Sequence, residues 1–283
     1  MRNVLITGTP RSGTTLICSL LNKLPNIVAL HEPMSVFDFV GRSPDEVGQM
    51  IENFCAQSRQ SLLEKGFAIS KHVGGKVRDN SAKADNAGKR VRQPEQHGRI
   101  EIDKPLSPDF TLAIKHPMAF AALLEPLSKR FECFAVVRNP LATLASWNSL
   151  DWFPLKEGHS PIGEKLDADL ARALATKSDA IGRQIHILEW FYDRFHHFVP
   201  EQALIKYEGL VASHARELQK IVPAANQLNE DLSSKNESEF YDHALMVNIG
   251  RRLLRRDGPI WDFYDKSEVE QLLSRIASST AKN

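Results

Sequence analysis

The stretch TGTPRSGTTLICSLL, residues 7–21, constrains the fold more than any other part of the chain. Its frame GxxxxG ends at Gly13 and is followed by Thr14 and Thr15, which matches a phosphate-binding loop except that Thr14 stands where a lysine is usual. Such a loop directs backbone N–H groups and a helix N-terminus at an anion. The lysine that reaches the terminal phosphates of a nucleoside triphosphate is missing, and Arg11 carries the loop's positive charge instead. The loop therefore still predicts a bound anion, for which ATP is not the obvious candidate.

Length and composition predict one folded domain. A chain of 283 residues with 42% hydrophobic composition can bury a full core, and we interpret residues 1–283 as a single domain. Within it we expect a basic, flexible insertion at about residues 72–104 and a helical C-terminal part from about residue 235. The formal net charge of +1 gives no reason to expect nucleic acid as a partner.

The cysteines and the lengths of the apolar runs indicate in which cellular compartment the protein is found. Cys18, Cys55 and Cys133 are odd in number and widely spaced, so they indicate neither a disulfide framework nor a zinc site. The first strand is predicted to begin at about Asn3, which leaves no room for a signal peptide. Every apolar run falls short of the roughly 18 residues that a spanning helix needs. We expect a cytoplasmic protein with no membrane anchor.

Short apolar runs alternate with helical patterns, which is typical of a parallel sheet with helices on both faces. This predicts a three-layer α/β/α fold with a central parallel sheet, similar to that of P-loop nucleoside-triphosphate hydrolases. Helices are predicted from Ser43, as N-cap, to about Lys65 and over about residues 169–198. The strands are predicted at residues 4–6, 27–30, 110–114, 134–137 and 203–205.

Cations follow three of the predicted strands. Lys115 and His116 come after the third strand, Arg138 after the fourth and Lys206 after the fifth. In an open α/β sheet the ligand lies beyond the carboxyl ends of the strands. A magnesium-dependent kinase would want an acidic residue at one of these three ends. The pattern instead favours a multiply charged anion bound directly by Arg, Lys and backbone amides, without a metal.

The chain resembles the sulfotransferases that use 3′-phosphoadenosine 5′-phosphosulfate. PRSGTT is similar to the family's loop for the 5′-phosphosulfate, and RNPLATLAS, with Arg138 and Ser146, resembles its 3′-phosphate motif. IKHP is similar to a strand-end lysine-x-proline of the family, and LIKYEGLV to its YEDL element, with Gly209 where aspartate is frequent. The resemblance covers the chain to about residue 220. Beyond that point RRLLRRDG, which contains Arg256, is the candidate for the family's basic loop over the nucleotide.

This resemblance implies the donor and the residues that bind it. The amides of Ser12, Gly13, Thr14 and Thr15, with the threonine hydroxyls, would cradle the 5′-phosphate. Arg11 would neutralise charge on the leaving oxygen, and Lys115 would either donate a proton to that oxygen in part or neutralise its charge. Arg138, Ser146 and Arg256 would bind the nucleotide. The product would be 3′,5′-adenosine bisphosphate, and no metal would be required.

The acceptor must lose a proton, so a base is required beside the loop. His31 and Glu32, in LHEPM, directly follow the second predicted strand. In the branch of the family with PRSGTT the base is usually a glutamate before proline, which favours Glu32, with His31 as the alternative. Leu16 stands where the phenol-sulfating branch has a tryptophan, which favours the carbohydrate, protein and bacterial branch. The acceptor, which could be a carbohydrate, a lipid, a small alcohol or a protein, and the oligomeric state are left open.

Two other functions remain open at this point. One is an ATP- and magnesium-dependent phosphotransferase, and the other is a noncatalytic nucleotide-binding module. Trp147, Trp152 and Phe153 could stack on a sugar or belong to the core. Four side chains at metal-compatible spacing on one helix are interpreted as a solvated face: His186, Glu189, Asp193 and His197.

Overall fold

A parallel sheet forms the centre of the molecule. The computed structural model describes residues 1–80, 82–85 and 90–280. The strands are β1 (Arg2–Gly8), β2 (Ile27–His31), β3 (Phe67–His72), β4 (Ala82–Ala84), β5 (Arg90–Arg92), β6 (Gln96–Glu101), β7 (Thr111–Lys115), β8 (Glu132–Val137) and β9 (Leu204–Lys206). Among the described residues, one five-stranded sheet contains β1, β2, β7, β8 and β9, in the order β2-β7-β1-β8-β9, and all its pairings are parallel.

Helices flank this sheet, which confirms the predicted three-layer α/β/α fold. The helices are α1 (Thr14–Leu21), α2 (Pro44–Lys65), α3 (Pro117–Ala122), α4 (Leu124–Ser128), α5 (Pro140–Asn148), α6 (Pro161–Leu166), α7 (Ala168–Ala175), α8 (Ala180–Phe198), α9 (Tyr207–Ala212), α10 (His243–Leu254) and α11 (Lys266–Thr280). Helix α1 packs on β2, β7 and β1, helix α3 on β1, and helix α4 on β8.

The five predicted strands all occur. They could be predicted because strands buried on both faces have continuous runs of apolar residues in their sequence. All five residues of β2 are buried, and so are the last five of β1 and of β8. The register aligns Ile6 with Lys115 and Lys115 with His31, so the carboxyl ends of these strands lie side by side. The residues that follow the strands are therefore brought to one edge of the sheet.

Helix α2 begins and ends where the sequence predicts. The Ser43 hydroxyl accepts a hydrogen bond from the Glu46 amide, and the Glu46 carboxylate accepts one from the Ser43 amide, which makes a complete capping box. Gly66, with φ of 72°, ends the helix in the left-handed conformation that favours glycine.

The single long helix predicted over residues 169–198 is wrong. The chain forms α7 and α8, which are separated by the residues TKSD, 176–179. Asp179 ends the interruption as the N-cap of α8, with its carboxylate accepting from the Gly182 amide at 2.9 Å. Thr and Asp side chains bond locally to the backbone: the Thr176 hydroxyl donates to the Ala173 carbonyl at the end of α7, and Asp179 starts α8.

Part of the predicted flexible insertion has regular structure. Strand β6 pairs antiparallel with β3, and β5 pairs with β4. Ile100 is the one fully buried side chain of β6, so the strand is held mainly by backbone pairing. Its sequence therefore lacks the alternation of apolar and polar residues that would predict a strand. Residues 81 and 86–89 of the insertion lie outside the described residues.

Candidate active site

The loop between β1 and α1 presents free backbone donors at the carboxyl edge of the sheet. The Ser12 amide donates to the Thr9 carbonyl at 3.1 Å, and its hydroxyl donates to the Val136 carbonyl at 2.9 Å. Ser12 thus holds the loop in shape. The amides of residues 13–15 have no acceptor among the described residues, as expected at the first turn of a helix. Three N–H groups are left for an anion.

Two non-glycine residues of the site have left-handed backbone. Arg11 has φ of 73° and Glu32 has φ of 43°. Such conformations cost energy in residues with a Cβ and concentrate at functional sites. Gly13, with φ of 96°, provides the third left-handed turn, where an added Cβ would lie 3.1 Å from the Tyr207 ring. The loop and the end of β2 are therefore strained around the same edge of the sheet.

Lys115 is the centre of a buried polar group beneath the loop. Its side chain is 3% exposed, and its three N–H bonds point at three acceptors. Nζ lies 2.9 Å from Oε1 of Glu32, 3.1 Å from Nδ1 of His31 and 3.4 Å from Oγ1 of Thr15. Lys71, on β3, contacts the other oxygen of Glu32 at 2.5 Å. One carboxylate is thus bound by two lysines, one buried and one partly exposed.

These contacts set the charge states of Glu32 and His31. Burial works to raise the pKa of Glu32, but the nearby positive groups, Lys115 foremost, outweigh it and hold the pKa well below its usual value. Burial and the charge of Lys115 lower the pKa of His31. Because Nδ1 of His31 accepts from Lys115, the neutral ring carries its proton on Nε2, which lies 3.3 Å from Oε1 of Glu95.

Arg138 is buried without a counter-charge. It is 4% exposed, and within the described ranges no carboxylate lies within 4.0 Å of it. Its guanidinium donates only to uncharged oxygens: Oδ1 of Asn236 at 2.8 Å, the Arg11 carbonyl at 3.0 Å, the Lys235 carbonyl at 2.5 Å and the Tyr241 hydroxyl at 3.2 Å. A buried cation with only neutral partners is costly and favours an anion beside it.

A second arginine and a tyrosine join Arg138. The Tyr241 side chain is hydrogen-bonded to Ser146 and to Arg138. Burial works to raise the pKa of Tyr241, but Arg138, the bond to Ser146 and Arg90 together lower it. Arg90 comes from β5 in the insertion, and its Nη1 donates to the Ser149 hydroxyl at 2.8 Å. One phenol oxygen thus lies where guanidinium groups from separate segments meet.

Arg11 connects the loop to the group formed by Arg138, Ser146 and Tyr241. Its Nε lies 3.4 Å from Oγ of Ser146, and its Nη2 donates to Oδ1 of Asn80 at 3.0 Å. Burial, followed by the charge of Arg90, lowers the pKa of Arg11 to about 10, so that it still carries its charge at neutral pH. The loop cation therefore faces the side of the cleft that holds Arg138 and Ser146.

All these groups border one cleft of about 1050 Å³. The cleft is lined by the loop, Arg138, Ser146 and residues of segment 231–241, and also by His31, Glu32, Lys71, Glu95 and Trp152. A pocket for one drug-sized ligand holds about 300–1,000 Å³, so this cleft has room for a nucleotide and a second molecule. The arrangement can bind an anion at two places and hold a carboxylate and an imidazole between lysines.

Most of the predicted site residues are brought together. Arg11, Thr14, Thr15, Glu32, His31, Lys115, Arg138 and Ser146 border the cleft, as does Gly13. Arg256 lies apart, because its guanidinium forms a two-pronged pair with Glu189 of α8 at 2.6 and 2.7 Å. Trp147 is fully buried, with its indole N–H on the Pro10 carbonyl at 2.8 Å, whereas Trp152 and Phe153 face the cleft.

Sequence reasoning missed four residues of the site: Lys71, Arg90, Glu95 and Tyr241. Three of them belong to β3 or to the insertion, where no motif or periodicity marks them, and Tyr241 follows a segment without regular structure. The excess of Lys and Arg in the insertion is the one signal that could have directed attention to Arg90. The four residues of α8 with metal-compatible spacing form pairs with one another or with Arg256 instead.

No described group of three or more His, Cys, Asp or Glu is placed to hold a metal ion. Across the described helices, none is both long and apolar enough to cross a membrane.

No protein-family model matches the chain, and no curated protein matches it. Among solved structures, a crystal structure of a sulfotransferase from Mycobacterium avium is similar with a TM-score of 0.36 and 14% sequence identity, over 98% of this chain and 76% of that one. A similarity of this extent is too distant to support a function.

Proposed function

We propose that this protein transfers a sulfuryl group from 3′-phosphoadenosine 5′-phosphosulfate to a hydroxyl or amine acceptor. One observation carries the proposal: buried Arg138, without a carboxylate partner in the described chain, borders the same cleft as the unoccupied amide donors of residues 13–15. Two separate anion-binding groups suit a ligand with two separate charged groups, one on the 5′ oxygen and one on the 3′ oxygen of a ribose. The donor would supply the sulfuryl group and leave as 3′,5′-adenosine bisphosphate.

The residues present fit this donor. The amides of residues 13–15 and the Thr14 and Thr15 hydroxyls would hold the 5′ end, as at other helix N-termini that bind phosphate. Arg138, Ser146 and Arg90 would hold the 3′-phosphate. The phenol oxygen of Tyr241 already occupies a place among these three groups, which indicates that an oxygen fits there.

Lys115 and Arg11 would neutralise the charge that develops on the leaving oxygen. Lys115 is positioned by three acceptors and lies 3.4 Å from the Thr15 hydroxyl, next to the first turn of α1. A cation fixed in a buried site before the reaction stabilises developing charge without reorganisation. Arg11 keeps its proton at neutral pH, so its contribution is electrostatic.

Glu32 would accept the acceptor's proton. Its carboxylate has four lone-pair sites, of which the two lysines use two, and its side chain is 26% exposed toward the cleft. His31, the alternative base, is 3% exposed, and its unprotonated Nδ1 already accepts from Lys115. The depressed pKa of Glu32 makes it a weak base, so we expect proton transfer to follow the formation of the sulfur–oxygen bond.

The alternative of an ATP- and magnesium-dependent phosphotransferase is less well supported. A magnesium site in such enzymes uses a carboxylate near the loop. Here both oxygens of Glu32 face lysines, at 2.5 and 2.9 Å. The chemistry that we propose for this site is independent of metal.

Calorimetric titration tests the proposal. We expect 3′,5′-adenosine bisphosphate to bind in EDTA, and to bind about tenfold more weakly to Ser146→Ala and about a hundredfold more weakly to Arg138→Ala. AMP, which lacks the 3′-phosphate, should bind all three proteins alike. Because Arg138 is buried, the Ser146 variant keeps the test valid if Arg138→Ala unfolds. Preference for ATP with magnesium would overturn the proposal.

Catalysis is tested by release of the bisphosphate from the donor in the presence of hydroxyl and amine acceptors. We expect Glu32→Gln to bind the bisphosphate like the wild type and to lose turnover. A protein that binds but never turns over with any acceptor would be the noncatalytic module.

A further inference from the structure

The side chain of Asn236 connects a cation and a carboxylate that do not touch each other. Its Oδ1 accepts from Nε of Arg138 at 2.8 Å, and its Nδ2 donates to Oε1 of Glu208 at 2.9 Å. Arg138 is buried and pairs with no described carboxylate, and Glu208, in the first turn of α9, pairs with no described cation. Charges inside a protein are usually paired directly, so an amide placed between two of them requires an explanation.

Glu208 determines which end of the amide faces Arg138. An amide accepts at its oxygen and donates at its nitrogen, whereas a carboxylate only accepts and a guanidinium only donates. With the carboxylate on one side and the guanidinium on the other, one orientation of Asn236 satisfies both neighbours. The opposite orientation would direct an NH₂ group at the guanidinium and an oxygen at the carboxylate.

Glu208 is itself held in place from three directions. Its Oε1 also accepts from the Asn139 backbone amide at 2.9 Å, and its Oε2 accepts from the Tyr264 hydroxyl at 2.8 Å. Asn139 directly follows Arg138 in the chain and is the N-cap of α5. One carboxylate oxygen is therefore bonded both to the backbone beside Arg138 and to the side chain that holds its Nε.

These contacts leave the two Nη groups of Arg138 for a ligand. Nε is used by Asn236, Nη1 donates to the Arg11 carbonyl at 3.0 Å, and Nη2 donates to the Lys235 carbonyl and, at 3.2 Å, to the Tyr241 hydroxyl. A guanidinium has five N–H groups, so one N–H of Nη1 has no acceptor within the described ranges. An anion that replaced the Tyr241 hydroxyl would meet donors from both Nη groups, provided that Nε stays where Asn236 holds it.

Resting on the proposed function, we propose that Glu208 and Asn236 are positioning residues for the 3′-phosphate: Glu208 orients the Asn236 amide, and the amide orients Arg138 without neutralising it. A carboxylate in direct contact with Arg138 would also orient it, but would compete with a phosphate for the same N–H groups. Coulomb attraction weakens with distance, so a carboxylate one amide group farther away neutralises less of the charge. The amide keeps the guanidinium both fixed and available.

Calorimetry with 3′,5′-adenosine bisphosphate and with AMP tests this in a double-mutant cycle. The quantity compared is the ratio of the two affinities, because a general disturbance of the fold weakens both nucleotides. We expect this ratio to fall about tenfold in Glu208→Ala and in Asn236→Ala. In the double variant it should fall no further than in either single variant, because Glu208 acts through Asn236.

Asn236→Asp tests the amide with almost no change of shape. The new carboxylate would contact Arg138 directly, so we expect the ratio to fall further than in Asn236→Ala. Because Asn236 lies outside regular secondary structure, both of its variants keep the test valid if Glu208→Ala unfolds. Glu217→Ala is the control, since that carboxylate pairs with Lys220 at 2.5 Å, and its ratio should equal that of the wild type.

An unchanged ratio in Glu208→Ala or Asn236→Ala, a further loss in the double variant, or a ratio in Asn236→Asp no lower than in Asn236→Ala would overturn this inference. The wild type reports on the proposed function separately. If it binds the bisphosphate no better than AMP, the proposed 3′-phosphate site itself is refuted. If it prefers the bisphosphate and the variants behave otherwise than expected, only the positioning role is refuted.

Discussion

Glu32 and Lys115 form an ion pair in which Oε1 and Nζ are 2.9 Å apart and the lysine is 3% exposed. Lys71 contacts the same carboxylate from β3. The pair joins the end of β2 to the end of β7, and its lysine also bonds His31 and Thr15. The carboxylate therefore serves the stability of the fold as well as the chemistry that we propose.

Replacing Glu32 by Gln should destabilise the protein by about 3 kcal/mol at neutral pH, because it leaves a buried lysine without its counter-charge. The pKa of Glu32 is lowered on folding, so its stabilising contribution is complete above the unfolded pKa of about 4.3 and is lost as the pH falls through the folded pKa. The loss in Glu32→Gln should therefore shrink in acid. Urea unfolding measured across pH checks this.

Glu101→Gln is the matched control. Glu101 pairs with Arg99 at 2.7 Å, but both side chains are more than half exposed. We expect its free energy of unfolding to change by less than about 1 kcal/mol at any pH. Equal losses in the two variants would show that the Glu32 pair is no stronger than a surface pair.

Replacing Gly13 by Ala should weaken anion binding more than it weakens the fold. The backbone there has φ of 96°, and the new Cβ would lie 3.1 Å from the Tyr207 ring, so the loop must shift and its amides with it. We expect bisphosphate affinity to fall at least about tenfold. Gly41→Ala is the control, since φ is 78° and no heavy atom lies within 4 Å of the added Cβ. Calorimetry should find the affinity of Gly41→Ala unchanged, although a left-handed backbone conformation at alanine lowers the stability of both variants.

The sequence could predict those site residues that directly follow strands of the parallel sheet. His31, Glu32, Lys115 and Arg138 could be placed together because each follows an apolar run, and the carboxyl ends of parallel strands meet at one edge. Glu95 could not, because it lies in an insertion whose strands are paired through backbone bonds and bury few side chains. Local pattern also predicted one helix across residues 176–179, where side-chain capping divides it.

Replacing Arg90 by Ala should lower the affinity for 3′,5′-adenosine bisphosphate about tenfold and leave that for AMP unchanged. Arg90 lies beside Tyr241 and Arg138, where we place the 3′-phosphate, so its loss should be felt only by a ligand with that group. Arg99→Ala removes the same charge from the same insertion but away from the cleft, over the Phe67 ring at 3.9 Å. Calorimetry with both nucleotides checks this, and an equal loss of AMP binding in Arg90→Ala would contradict the assignment.

Replacing Tyr241 by Phe should strengthen bisphosphate binding by about threefold to tenfold. The phenol oxygen lies 3.2 Å from Nη2 of Arg138 and is bonded to Ser146, so a 3′-phosphate must compete with it for both groups. Removing the hydroxyl removes the competitor, while AMP should bind as before.

In the wild type the arginines lower the pKa of Tyr241, and an anion placed among them should raise that pKa toward its usual value. Ultraviolet titration of the phenol with and without bisphosphate measures this rise, with Tyr241→Phe identifying the signal. Weaker binding in Tyr241→Phe would instead show that the hydroxyl donates to the bound phosphate.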